Sequence, residues 1–203
     1  MNNEERMQAG LIYNPSIPSL MERQAAALEL LYDFNATRPS ESDRRSELLR
    51  QMLAEAGEGC YVEPPIHANW GGNNVHFGNY VYANFNLTLV DDGPIYVGDR
   101  VMFGPNVTIS TAGHPVLPEL RAAAAQYNLP VRIGANAWIG AGVIILPGVT
   151  IGENSVIGAG SVVTNDIPAN VVAVGSPCRV LREINDHDRE FYWRDRRIDI
   201  QAE

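Results

Sequence analysis

The sequence predicts a mainly β protein, a parallel β-helix with a helical segment ahead of it and a charged tail behind. Two observations carry this. An aliphatic residue recurs every six positions at Ile133, Ile139, Ile145, Ile151, Ile157 and Val163, and glycine directly follows four of them, at Gly134, Gly140, Gly152 and Gly158. Two positions before each stand Val131, Ala137, Val143, Val149, Ser155 and Ser161, and the same register returns upstream as Phe77-Gly78, Val97-Gly98, Phe103-Gly104 and Ile109. A period of six fits neither a helix nor an ordinary meander. It fits a chain in which six residues supply one short strand and one turn. Three such units close a coil, and stacked coils bury the aliphatic column.

Residues 1–60 read as helical. Ser19-Leu-Met-Glu22 has the form of a capping box. Behind it Ala25, Leu28, Leu31 and Tyr32 recur at helical spacing as an apolar stripe. Pro39 pushes Arg38 out of the helical region and breaks the segment. A second helix is expected from about Ser42 to Ala56, with Leu48, Leu49, Met52 and Leu53 on one side and Gly57 as its left-handed stop. A hairpin with one apolar face must lie on something.

The β-helix is expected over 61–179, with two irregularities. Phe77 and Val97 are 20 residues apart, not a multiple of six, so a bulge or loop interrupts the early coils. Between Ile109 and Ile133 the pattern stops, so 110–130 leaves the prism as a protruding loop, and such loops usually carry function. Residues 180–203 read as a helical tail whose Leu181, Ile184, Phe191, Tyr192 and Trp193 pack on the prism or on a neighbouring subunit.

Fifteen Lys and Arg against 24 Asp and Glu give a net charge of −9, and the 45% hydrophobic fraction is that of a folded protein. This balance argues against nucleic acid or an anionic membrane as the main partner. Two cysteines, Cys60 and Cys178, make no disulfide framework and no Cys-x-x-Cys pair. With no membrane-length apolar run and no basic-then-apolar leader, a cytoplasmic protein is expected.

Few residues offer chemistry. His114 lies in Thr111-Ala-Gly-His-Pro115, where the proline favours extended backbone and projects the ring from the loop. It reads as a general base or as an idle surface histidine. His67, His76 and His114 show no ligand-like spacing, so no metal is expected. In Asn84-Phe-Asn-Leu-Thr-Leu-Val-Asp-Asp92 the asparagines are either structural ladders or, for Asn84, an amide donor to an oxyanion. Asp92 either solvates a turn or accepts from a substrate hydroxyl. Arg179 and Arg182, three apart, suit phosphate if they share a helical turn.

Together Tyr82-Ala-Asn-Phe-Asn86, Thr111-Ala-Gly-His-Pro-Val116, Ile133-Gly-Ala-Asn-Ala-Trp-Ile-Gly140 and Asn170-Val-Val-Ala-Val-Gly-Ser-Pro-Cys-Arg179 resemble the galactoside and maltose O-acetyltransferases, within the hexapeptide-repeat acyltransferases. The resemblance implies a left-handed β-helix assembled as a homotrimer, with sites in the clefts between prisms. It implies acetyl-CoA as cosubstrate and a sugar-like acceptor. His114 would be the general base, and Asn84 would stabilise the tetrahedral intermediate. Asp92, Tyr82 and Asn69 would contact the acceptor. Trp138, Ala141, Ala159 and Thr164 would touch the coenzyme, with Arg179 and Arg182 near its phosphates. Three positions depart from the family pattern: Tyr13-Asn-Pro-Ser-Ile-Pro18 carries no carboxylate, Asn69 stands where relatives have Asp or Ser, and Asn165 replaces a frequent lysine. The residues leave open a non-sugar acceptor or a non-catalytic binding trimer.

Overall fold

The computed structural model describes residues 1–200; the end of the expected tail, 201–203, lies outside them. Short strands form three walls of parallel β-sheet. The first wall stacks 55–56, 75–77, 95–97, 131–133 and 150–151. The second stacks 61–62, 82–83, 102–103, 138–139, 156–157 and 171–174, and the third 66–68, 87–90, 108–110, 144–145 and 162–163. The chain visits first, second and third wall in turn, which makes a parallel β-helix.

The six-residue column points inward: Ile139, Ile145, Ile151, Ile157 and Val163 are fully buried, as are Ala137 and Val143. Ser155 and Ser161 also face in, and each hydroxyl donates to a backbone carbonyl, of Pro168 (2.7 Å) and Gly158 (2.6 Å). Corners demand left-handed backbone. Asn86 and Asn106 take it at one corner, with Gly142 and Gly160 above them, and Asn136, Asn154 and Asn170 at another. Their amides form ladders, Asn86 to Asn106 at 3.0 Å and Asn136 to Asn154 to Asn170 at 3.1 and 2.9 Å. Asparagine tolerates this backbone better than other side chains.

The N-terminal helices are α1 (Asn3–Gln8), α2 (Pro18–Asn35) and α3 (Ser42–Met52). The capping box expected at Ser19 does not form: α2 starts at Pro18 after Ile17, because proline is already set for the first helical position. A capping box occurs instead at Asn2 and Glu5. The buried face of α2 is Leu20, Ala27, Leu31 and Phe34, whereas Leu28 and Tyr32 are exposed; the prism takes the face that carries Phe34. Together with Leu48, Leu49, Met52 and Leu53, Phe34 joins the core of the first coil and closes the open end of the prism.

That coil begins at Glu55, so the boundary expected at residue 60 falls inside it, and α3 ends at Met52, short of Ala56. Gly57 is not left-handed. A Cβ there would overlap the backbone of Gly78 in the next coil, so close coil-on-coil approach selects the glycine. The C-terminal tail is not the expected helix. Arg179–Glu183 form a strand antiparallel to Val171–Val174, followed by one short helix (His187–Glu190) and a hairpin of 191–193 with 196–197. Leu181, Tyr192 and Trp193 stay exposed, so they do not pack on their own prism.

A Cβ at Gly98 would lie 2.6 Å from the backbone nitrogen of Ala135, whereas one at Gly142 meets nothing. Gly98→Ala therefore lowers stability by about 1–3 kcal/mol. Gly142→Asn, which keeps the left-handed corner, stays within about 0.5 kcal/mol of wild type. Urea unfolding of the two variants checks both.

Candidate functional site

Residues that the coils do not need leave the prism at one corner, between the third and first walls. The first coil inserts around 69–74, the second around 91–94 and the third at 111–130. Stacked coils therefore stack their insertions.

Asp91 and Asp92 show what this does. Asp91 is 0% exposed and accepts the backbone N–H groups of Trp70 (2.7 Å) and Gly72 (3.0 Å), pinning a turn in which Gly71 and Gly72 have positive φ. Burial pushes its carboxyl above the ordinary range, against the pull of those N–H groups. Asp92 turns into a cleft. Its Oδ1 accepts from Gln126 Nε2 (2.9 Å) and Trp70 Nε1 (3.3 Å), and its Oδ2 from Asn69 Nδ2 (2.8 Å). A carboxylate has about four acceptor positions, so one remains for a ligand hydroxyl.

His114 follows the short strand Ala112–Gly113, which pairs with Tyr127–Asn128 and so ties both ends of the excursion together. Its Nδ1 lies 2.9 Å from the carbonyl oxygen of Ala125. A carbonyl can only accept, so Nδ1 carries a proton, and in the neutral ring Nε2 then keeps its lone pair. His114, Asp92, Asn69, His67, Thr88 and Gln126 line one cleft of about 570 Å³. His114 is exposed in the single chain and lines this cleft.

Sequence reading missed a further group here. Tyr13 makes a two-way backbone bridge with Gln126, at 2.9 Å in each direction. Its hydroxyl accepts from Gln126 Nε2 (2.7 Å) and Asn128 Nδ2 (3.1 Å). Burial pushes the Tyr13 phenol above its ordinary range, so it stays neutral. The only signal was the absence of a carboxylate in this segment; nothing in the aperiodic 110–130 pointed to Gln126.

Two expected residues do not join the cleft within one chain. Tyr82 lies on the outer face of the second wall, stacked on Tyr61 with ring centroids 6.1 Å apart. Asn84 follows at the corner between second and third walls, its Oδ1 accepting the Phe85 N–H at 2.8 Å. The third-wall strand 87–90 separates it from Asp92 by roughly 15 Å at about 3.3 Å per residue. The asparagine ladder runs through Asn86, not Asn84.

Trp138, 52% exposed, lies on the second wall between Met102 and Val156. Ala141 and Ala159 are exposed one coil apart at the next corner, and Thr164 follows the third wall. Arg179 and Arg182 sit on a strand, not the helical turn that their spacing suggested, because the chain returns along the last wall strand. Arg182 makes two hydrogen bonds to Asp188, at 2.6 and 2.7 Å, and these hold the Asp188 carboxyl down at about 2. Arg179 Nη1 donates to the Cys178 carbonyl at 2.7 Å.

A groove of about 560 Å³ runs along the first wall. There His76 stacks on Tyr96 (4.8 Å), with Arg132 over the same ring at 4.3 Å, so its polar groups engage one another. No group of three His, Cys, Asp or Glu side chains is placed to hold a metal among the described residues.

Residues 6–57 match the maltose acetyltransferase hexapeptide capping motif and 130–165 the bacterial transferase hexapeptide. The chain is 55% identical to the galactoside O-acetyltransferase of Lactococcus lactis over 98% of this chain and 97% of that protein. It belongs to the galactoside and maltose O-acetyltransferase family of hexapeptide-repeat proteins. The Escherichia coli galactoside O-acetyltransferase is 50% identical, over 96% of both chains. A galactoside acetyltransferase solved in complex with coenzyme A superposes with a TM-score of 0.95 at 50% identity, covering 98% of this chain and 100% of that one. The family's capping motif thus spans the helices that close the prism here.

In this O-acetyltransferase Asp91 gives a test of the buried corner. Its folded pKa lies above the free value. Stability linked to it is therefore full below the free carboxylate range and is lost as pH rises through the raised value. The unfolding free energy, followed by denaturant titration across that window, falls with pH in wild type and falls less in Asp91→Asn.

Proposed function

We propose that this protein transfers the acetyl group of acetyl-CoA directly to a hydroxyl of a sugar, with His114 as general base. The observation that carries it is the bond from His114 Nδ1 to the Ala125 carbonyl, which makes Nε2 the acceptor nitrogen of the neutral ring, in a residue that lines one cleft with Asp92. An alcohol is a weak nucleophile until its proton has somewhere to go. As the acceptor oxygen bonds to the thioester carbonyl carbon, Nε2 takes that proton. The tetrahedral oxyanion then collapses, the carbon–sulfur bond breaks, and the imidazolium returns the proton to the departing sulfur. Asp92 and Asn69 hold the acceptor. The relative solved with coenzyme A supports the cosubstrate. Trp138, Ala141, Ala159 and Thr164 offer it an exposed surface along the later coils, and Arg179 faces its phosphates.

The active unit is a homotrimer in the cytoplasm. Asn84 and Tyr82 do not line the cleft of their own chain, so they complete the site of a neighbour, with Asn84 as oxyanion donor. The exposed Leu181, Tyr192 and Trp193 give the tail apolar surface for a subunit contact. No helix among the described residues is long and apolar enough to cross a membrane.

His114→Ala lowers kcat at least ~10²-fold with the assembly intact by size-exclusion chromatography. Asn84→Ala is also nearly inactive, by ~10²-fold or more. Hybrids formed by mixing the two inactive variants regain activity, because some clefts then draw both intact residues from different chains; no recovery would place both residues in one chain's site. Arg179→Ala raises the KM for acetyl-CoA about 5- to 10-fold, whereas Arg182→Ala, whose guanidinium Asp188 already holds, changes it less than about 2-fold. Steady-state kinetics at fixed ionic strength separate them.

A further inference from the structure

Gln126 takes no part in the chemistry described above, yet it lines the cleft and is only 7% exposed. Its amide orientation is dictated by its neighbours. Nε2 lies 2.9 Å from Asp92 Oδ1, a group that only accepts, so the nitrogen must be on that side. The same nitrogen reaches the Tyr13 hydroxyl at 2.7 Å and Asn128 Oδ1 at 3.3 Å. Oε1 therefore points the other way, and it has no hydrogen-bond partner among the described residues. It is not sealed in, because no fully buried side-chain oxygen or nitrogen among them lacks a partner. An oriented, unpartnered carbonyl oxygen thus belongs to a side chain that lines the same cleft as Asp92 and His114.

We infer that Gln126 is an acceptor-specificity residue: its Oε1 accepts a hydrogen bond from a hydroxyl of the sugar other than the one acetylated, while Nε2 holds Asp92 and Tyr13. This rests on the reading of the cleft as the acceptor site. The amide is neutral and rigidly held, so it favours a hydroxyl donor. A site that reads a hydroxyl in this way discriminates against an analogue lacking it, because the oxygen is then left unpaired. Tyr13 acts through Gln126 as a positioning residue: its backbone bridges the Gln126 peptide and its hydroxyl anchors the amide.

The test uses the full-length protein, acetyl-CoA, a sugar that the wild type acetylates and the monodeoxy analogues of that sugar. Gln126→Met keeps the length of the side chain and removes both polar atoms. It raises the KM for the parent sugar ~10-fold and leaves the KM for acetyl-CoA within ~2-fold. One monodeoxy analogue, disfavoured ~10-fold by wild type relative to the parent sugar, is used equally well by both enzymes, because substrate and side chain lose the same bond. An unchanged KM for the parent sugar overturns the inference. So does a penalty shared equally by every analogue, which would make Gln126 only a support for Asp92. Should Gln126→Met fail to fold, Gln126→Asn, which withdraws the amide by one methylene, is read by the same two criteria. A wild type that acetylates no sugar would remove the sugar reading itself, an outcome distinct from either result with Gln126.

Discussion

Each coil of this prism must lie squarely on the one before it, because its backbone N–H and C=O groups find their partners in the adjacent coils. The ladder is continuous: Gly78 donates to Val97, Gly98 to Ile133, Gly134 to Ile151 and Gly152 to Ile167, each at 2.7–2.8 Å. A residue added within a wall would put the inward column on the wrong face, so additions are confined to corners. The first three coils all make theirs at the same corner, and a site arises there from segments far apart in sequence. The coils after Ile133 add nothing at that corner until Val163.

The same constraint separates two adjacent carboxylates. Alternation along the third wall sends Asp91 inward, where it closes a turn, and Asp92 outward into the cleft. Their shared neighbour is Trp70, whose backbone N–H serves Asp91 and whose indole N–H serves Asp92. Movement of this one residue would disturb both the carboxylate that closes the turn and the one that lines the cleft. A buried carboxylate without such partners costs several kcal/mol, which is why the corner is dense in amides and other N–H donors.

Legibility in the sequence followed periodicity. The inward column from Ile133 to Val163 was visible because one physical environment repeats every six residues. The interruption after Ile109 was visible as its absence. His114 and Asp92 stood out through residue type and through the family resemblance, and the fold brings them to one cleft. Periodicity does not give the phase of α2: the spacing fits Ala25 and Tyr32 as well as Ala27 and Phe34, and only the shape of the prism decides which stripe is covered. Nor could it give the tail, where charged and aromatic residues suit strand or helix alike and the free edge of the last wall strand recruits 179–183. Gln126 and Tyr13 were invisible for a deeper reason. Their pairing spans 113 residues, and a contact of that range leaves no local mark.

That long-range pair links the fold to the chemistry. The peptide joining Ala125 to Gln126 carries two consequences: the Ala125 carbonyl sets the tautomer of His114, and the Gln126 side chain orients Asp92. Neither group sits on a regular wall, so both depend on what holds that peptide still. The holder is the extended segment around Tyr13, bonded to Gln126 in both directions, and that segment continues into α2, whose Phe34 is sealed into the first coil. The helical cap therefore does more than cover an open end of the β-helix. It ties the loop that carries His114 to the prism, and with it the placing of His114 relative to Asp92.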